Sequence, residues 1–269
     1  MSHGSTAHVD PTGWLPAVAL LTVLVGGYAA TAVRVGVRTG RPWSAHRGAA
    51  FAAGALVLAF AVSPGVALVA PDAARAHMVQ HVLLGMVAPL GVVLGAPLTL
   101  ALAALPVRRR RTATALLRTR AVHVVSHPVT AAALHVGGLA ALYLTPLYSR
   151  ALAERWLHDV VLVHVTVAGC LFAWSLVGPE RAARGPGPGW RVGVLVVASA
   201  AHGSLAKLLY ARAPALPPGS PHSGEELRAA AQWMYYAGDV AEVALTVALL
   251  ATWYRRGARH IGAPAVAGR

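Results

Sequence analysis

Apolar and polar positions alternate along this chain in long blocks rather than at short period. Seven apolar blocks run near 14–37, 46–69, 76–105, 121–144, 156–177, 190–210 and 229–254. A helix that crosses a bilayer needs about 20 such residues, and the breaks between the blocks are rich in Arg, Pro and Gly, as connections should be. The pattern predicts an all-α integral membrane bundle of seven transmembrane helices. It forms a single domain over 1–269, with short tails at 1–13 and 255–269.

The third block is longer than a straight crossing requires and contains Gly85, Pro89, Gly91, Gly95 and Pro97. Proline removes a backbone donor and disturbs the preceding turn, so a kinked or broken helix is expected. In a membrane the freed carbonyls must be satisfied by protein or by water in a cavity. This block is therefore expected to pack against other helices.

Charge sets the orientation. Of 23 basic residues only Arg75, Arg150, Arg155, Lys207, Arg212 and Arg228 fall on one side of the seven blocks; the others, including the run Arg108–Arg111, fall on the opposite side. The positive-inside rule then places the N-terminus outside and the C-terminus in the cytoplasm. The Arg108–Arg111 run reads as a topology signal and an anchor against anionic lipid. Nothing basic precedes the first block, so it is expected to be a helix of the mature protein rather than a cleaved signal.

Composition narrows the class. With 57% hydrophobic and 12% charged residues the chain is too apolar for an ordinary soluble domain. The net charge of +14 arises from arginines between apolar blocks, without aromatic interleaving on one face, which argues against a nucleic-acid partner. Cys170 is the single cysteine, so no intrachain disulfide or CxxC clip exists; it reads as a small packing residue.

The candidate chemistry starts at His77-Met78-Val79-Gln80-His81. Two imidazoles four residues apart on a helix are rotated by about 40° and separated by about 6 Å along the axis, so both can face one ion. The motif lacks the glutamate of the zinc-protease signature, because Met78 stands in its place, so hydrolysis by that route is not expected. Further along, His158-Asp159 opens the fifth block and His164 follows six residues later, which is not a same-face spacing. His158 is the better ligand candidate of the two. Asp159 also suits a helix N-terminus.

His202 lies about 12 Å inside the sixth block at ~1.5 Å per residue, whereas Lys207 can snorkel to the interface. In the seventh block Asp239 and Glu242 are three apart and share a face; carboxylates inside a span are a functional-site hypothesis by default. His46, His123 and His127 fall at the arginine-rich side and read as structural, with Pro128 suiting the first turn of a helix. His135 sits mid-block without an assigned role. With the derived topology, His77, His81, His158, His164, His202, Asp239 and Glu242 gather in the outer half. Imidazole with carboxylate suits zinc or Cu(II), and the thioethers of Met78, Met86 or Met234 would suit Cu(I).

Several of these motifs together resemble the cytochrome c oxidase assembly factors of the CtaG type found with bacterial caa3 oxidases, which are seven-span membrane proteins. The resemblance is carried by His77-Met78-Val79-Gln80-His81 with Ala88-Pro89-Leu90 and Gly95-Ala96-Pro97, by His127-Pro128 and Thr145-Pro146-Leu147-Tyr148, by His158 through His164 with Gly169-Cys170-Leu171-Phe172-Ala173-Trp174, and by Gln232 through Asp239. Gly178-Pro179-Glu180 departs from the Asp-Pro pair that members tend to show after the fifth helix. The resemblance implies a non-enzymatic factor in the bacterial plasma membrane that helps to make active haem-copper oxidase by handling copper at the outer face. Its copper ligands would be His77, His81, His158, His164, His202 and Asp239, with the oxidation state open between Cu(I) and Cu(II) and zinc open beside copper. Oxidase subunits and the lipid bilayer are the implied partners, with a second copy of the chain as a further candidate. Two other readings stay open on the residues: a haem-binding electron carrier with axial histidines, and a transporter moving copper through the bundle with His135 and the inner His127 as later stations.

Overall fold

The predicted blocks fold as helices, but several are broken where the sequence offers a reason. The computed structural model describes residues 11–179 and 187–261. Glu180, Arg181 and Arg184 of the expected inner connection, and most of both tails, lie outside these residues. In order, the helices are α1 (Leu15–Thr39), α2 (Ala45–Ala61), α3 (Val66–Val69), α4 (Ala73–Val82), α5 (Ala88–Leu94), α6 (Pro97–Ala104), α7 (Val107–Leu116), α8 (Arg120–Val125), α9 (Pro128–Leu144), α10 (Leu147–Ala153), α11 (Arg155–Val177), α12 (Pro188–Arg212) and α13 (Gly224–Ile261).

Among the described residues, five segments are long and apolar enough to cross a membrane: Thr12–Thr39, Ala73–Leu94, Arg155–Val177, Pro188–Arg212 and Gly224–Arg255. The pair α9 and α10, bent by 78°, makes a sixth if counted as one span. α2 is apolar over 17 residues. That is about 25 Å at 1.5 Å per residue, short of the ~30 Å hydrocarbon core. The second block stops at Ala61 because Ser63-Pro64-Gly65 follows: the Ser63 hydroxyl donates to the Phe60 carbonyl at 2.7 Å and the chain turns before α3.

The third block breaks as its glycines and prolines foretell. Between α4 and α5 the chain forms a π-helical turn over Leu83–Val87, in which the Ala88 N–H reaches back five residues to the Leu83 carbonyl. A second break follows α5, where Ala96 takes a left-handed φ of 53° before Pro97 opens α6. α11 approaches the π turn so closely that a Cβ at Gly169 would overlap the Gly85 carbonyl.

Helix starts carry the expected local chemistry. The Asp72 carboxylate accepts from the Arg75 N–H at 2.8 Å and caps α4. The His127 Nδ1 accepts from the Val129 N–H at α9, with Pro128 in the first turn. Ser223 and Glu226 form a reciprocal capping box at α13: the Glu226 N–H donates to the Ser223 hydroxyl at 3.2 Å and the Ser223 N–H to the Glu226 carboxylate at 2.8 Å. That box starts the last helix before position 229.

Among the described residues the bundle has two apolar cores. One joins Met78, Leu84, Leu139, Tyr143, Tyr148, Leu205 and Met234. The other joins Val93, Ala131, Phe172, Leu195, Ala198 and Leu245. Arg191 lies at the end of the second, 5% exposed, and donates to the Leu176 carbonyl at 3.0 Å. Its guanidinium satisfies a carbonyl in the last turn of α11, where cations are favoured.

Candidate functional site

Along α9, α12 and α13 the two cores are interrupted at one level by polar side chains. On α9, His135 falls between Ala131 and Leu139; on α12, His202 falls between Ala198 and Leu205; on α13, Glu242 falls between Met234 and Leu245. Spacings of three, four or eight residues keep each of them on the inward face of its helix. His135 and His202 are 5% and 2% exposed, and His135 stacks on Phe172 with ring centroids 5.5 Å apart. The Nδ1 of His202 stands 3.3 Å from the Glu242 Oε1, within ion-pair reach though not aligned as a hydrogen bond. Gly238, one turn before Glu242, leaves room for the His202 ring, which a Cβ there would strike.

A cavity of about 20 Å3 opens in this layer, lined by Met86, His135, Ser199, His202 and Glu242 among others. It has space for about one water molecule. Gly85 of the π turn faces it from α4's side: a Cβ there would stand 3.5 Å from the His135 ring and 3.8 Å from the His81 ring.

From the layer a file of histidines leads to the end of the bundle opposite Arg108–Arg111. His81 is 3% exposed, in edge contact with Tyr143 at 6.0 Å, and within electrostatic reach of His202, His135 and His77. His77, 9% exposed, packs edge-on against Tyr148 at 4.9 Å and lies 6.2 Å, centroid to centroid, from His158 at the start of α11. The ring of His222, in the loop before α13, sits 6.1 Å from that of Tyr148, centroid to centroid, and within electrostatic reach of His77. Four imidazole nitrogens in this file are buried without a hydrogen-bonding protein group: His81 Nε2, His202 Nδ1 and Nε2, and His222 Nε2. Buried polar atoms are ordinarily paired, so these nitrogens stand out among the described residues.

Six ligands were expected. The structure brings His77, His81, His158 and His202 into one file, and leaves two aside. His164 is exposed, with its ring seated over Gly138 of α9 and within electrostatic reach of His135. Asp239 is half-buried, and Glu242, not Asp239, faces His202. Among the described residues no three His, Cys, Asp or Glu side chains are arranged to hold a metal ion together. Met78 is engaged elsewhere, its sulfur accepting from the Tyr143 hydroxyl at 3.6 Å.

Sequence reasoning left His135 unassigned and passed over His222. Burial between apolar neighbours four residues away was a usable signal for His135. His222 stands in a proline-rich loop, where no periodicity marks which side chains return to the bundle.

Comparison with known proteins adds the family. A model described as cytochrome c oxidase caa3 assembly factor matches residues 26–256. Uncharacterized proteins of Mycobacterium bovis and Mycobacterium tuberculosis are each 37% identical over 183 residues, covering 64% of this chain and 27% of theirs. One from Mycobacterium leprae is 35% identical over 173 residues, covering 62% and 25%. The chain thus spans about a quarter of the length of these curated relatives. No solved structure matches.

Proposed function

The chain belongs to the cytochrome c oxidase caa3 assembly factor family, and from that premise we propose that it binds copper in the outer half of the bundle and delivers it to an oxidase subunit. It is a multi-pass protein of the bacterial plasma membrane. The role is one of binding and hand-over rather than catalysis.

The observation that carries this reading is the 6.2 Å spacing of the His77 and His158 rings at the mouth of a buried histidine file. Two imidazoles sharing one ion through bonds of about 2.0 Å bring their centroids to roughly this separation. The donor set suits copper: neutral imidazole, with a carboxylate deeper in. A pair of ligands rather than a closed cage agrees with a cargo that must leave again. His81 and His202 would receive an ion that moves inward, and Glu242 would offset its charge in the apolar interior. Oxidase subunits, approaching through the bilayer or at the outer face, are the proposed recipients.

The test is oxidase activity and oxidase copper in cells that carry His77→Ala or His81→Ala in place of the wild-type chain, with accumulation of each variant checked. Normal accumulation with lowered oxidase copper is expected. Unchanged oxidase copper in both variants would overturn the reading. Copper uptake into proteoliposomes that contain only this chain would replace delivery with transport, for which the His135 level deep in the bundle is the structural support.

A further inference from the structure

At the arginine-rich end the bundle carries a second feature with no tie to the histidines. A groove of about 520 Å3 runs between α5, α6, α8 and α11, walled by Val93, Pro97, Leu117, Ala121, Cys170 and Trp174 among others. Its wall is apolar, and its size is that of an ordinary ligand site. Arg118 and Arg120 lie between two of its wall residues, Leu117 and Ala121, and both are exposed. α7, which carries Arg108–Arg111, has no buried residue and leads directly into this turn.

We propose that the groove is a binding site for an anionic phospholipid, with an acyl chain along the apolar wall and the headgroup phosphate held by Arg118 and Arg120. Charge supports this occupant. Among the described residues, the ion pairs involve Arg75, His158 and His202, and none of Arg108–Arg111, Arg118 or Arg120 has a carboxylate partner. Asp72, Asp159 and Glu226 are all at the opposite end of the bundle, beside the histidine file. A second copy of the chain would bring the same arginines against each other, whereas a phosphate beside an apolar tail matches both halves of the site. Basic clusters next to apolar clefts at the cytoplasmic ends of spans recognise anionic lipid in this way.

The test uses the full chain released from nanodiscs with equal phosphatidylglycerol and phosphatidylcholine, with bound lipid counted by native mass spectrometry. Phosphatidylglycerol should be retained in preference. Arg118→Gln/Arg120→Gln should lower that preference ~25-fold, at about fivefold per arginine, while Arg150→Gln, at the histidine end, leaves it unchanged. Ala121→Trp, which fills the groove, should release the lipid while the thermal transition of the purified protein stays cooperative. Equal retention of both lipids, a preference untouched by the double substitution, or a dimer in place of bound lipid would each overturn the proposal.

Discussion

His202 on α12 and Glu242 on α13 face each other at 3.3 Å in the middle of the bundle, with 2% and 13% of their side chains exposed. A polar pair at that depth joins two helices through one contact. Removing either partner leaves the other buried alone, which costs about 1–3 kcal/mol. His202→Leu and Glu242→Leu should each destabilise the bundle by that order, and the double variant by clearly less than their sum. Unfolding midpoints in mixed micelles, read as a double-mutant cycle, check this; simple additivity would show that the two side chains do not interact.

Copper content should separate the histidines of α11. His158→Ala is expected to lower the copper retained by detergent-purified protein as much as His77→Ala does. His164→Ala, whose exposed ring lies over Gly138 of α9 away from His77 and His158, should retain the wild-type amount. Elemental analysis after copper loading and removal of free ion reads all three. Loss in the His164 variant equal to the others would move the site to the opposite face of α11.

Close approach at Gly169 gives a stability prediction. A Cβ there meets the Gly85 backbone and the Pro89 ring, neither of which can yield. Gly169→Ala should cost about 1–3 kcal/mol, as overpacking does. At Gly138 the added methyl meets only the exposed His164 ring, which can rotate away. Gly138→Ala should therefore be the milder change, and thermal transitions of the two variants side by side decide.

Arg191 supplies a fourth. Its guanidinium donates to the Leu176 carbonyl from a buried position, and charged hydrogen bonds contribute about 1.5–3 kcal/mol. Arg191→Gln should lose stability of that order without changing copper content. A drop in copper at unchanged stability would mean that this end of α11 is coupled to the histidine end.

Much of the helical layout was legible in the sequence because apolar blocks, arginine runs and the caps at Asp72, His127 and Ser223 are local signals. The break at Ser63-Pro64-Gly65 was equally local, but it lies inside a run long enough to pass for one span. The site was legible in part. His77 and His81 declare themselves by spacing, yet which neighbour reaches them depends on helix packing, and no single-chain periodicity reports that. So Glu242 and Asp239 looked alike at three residues' separation, and only the rotation of α13 against α12 turned Glu242 toward His202. His164 shows the same dependence on packing: Val161, Val165 and Phe172 of α11 enter the apolar cores, while the His164 ring lies over Gly138 of α9.

The π turn at Leu83–Val87 has a consequence for how this chain tolerates change. In an unbroken helix one inserted or deleted residue swings everything beyond it by about 100°. Here the helical segment that bears His77 and His81 and the segment that seats Val93 meet at a turn already wound at a different pitch. The turn acts as a keyed joint between two separately indexed rods. A one-residue deletion within α4 that the joint absorbs by closing to ordinary α geometry would keep α5 in its seat and the imidazoles inward, while the same deletion in α11 would have no joint to absorb it.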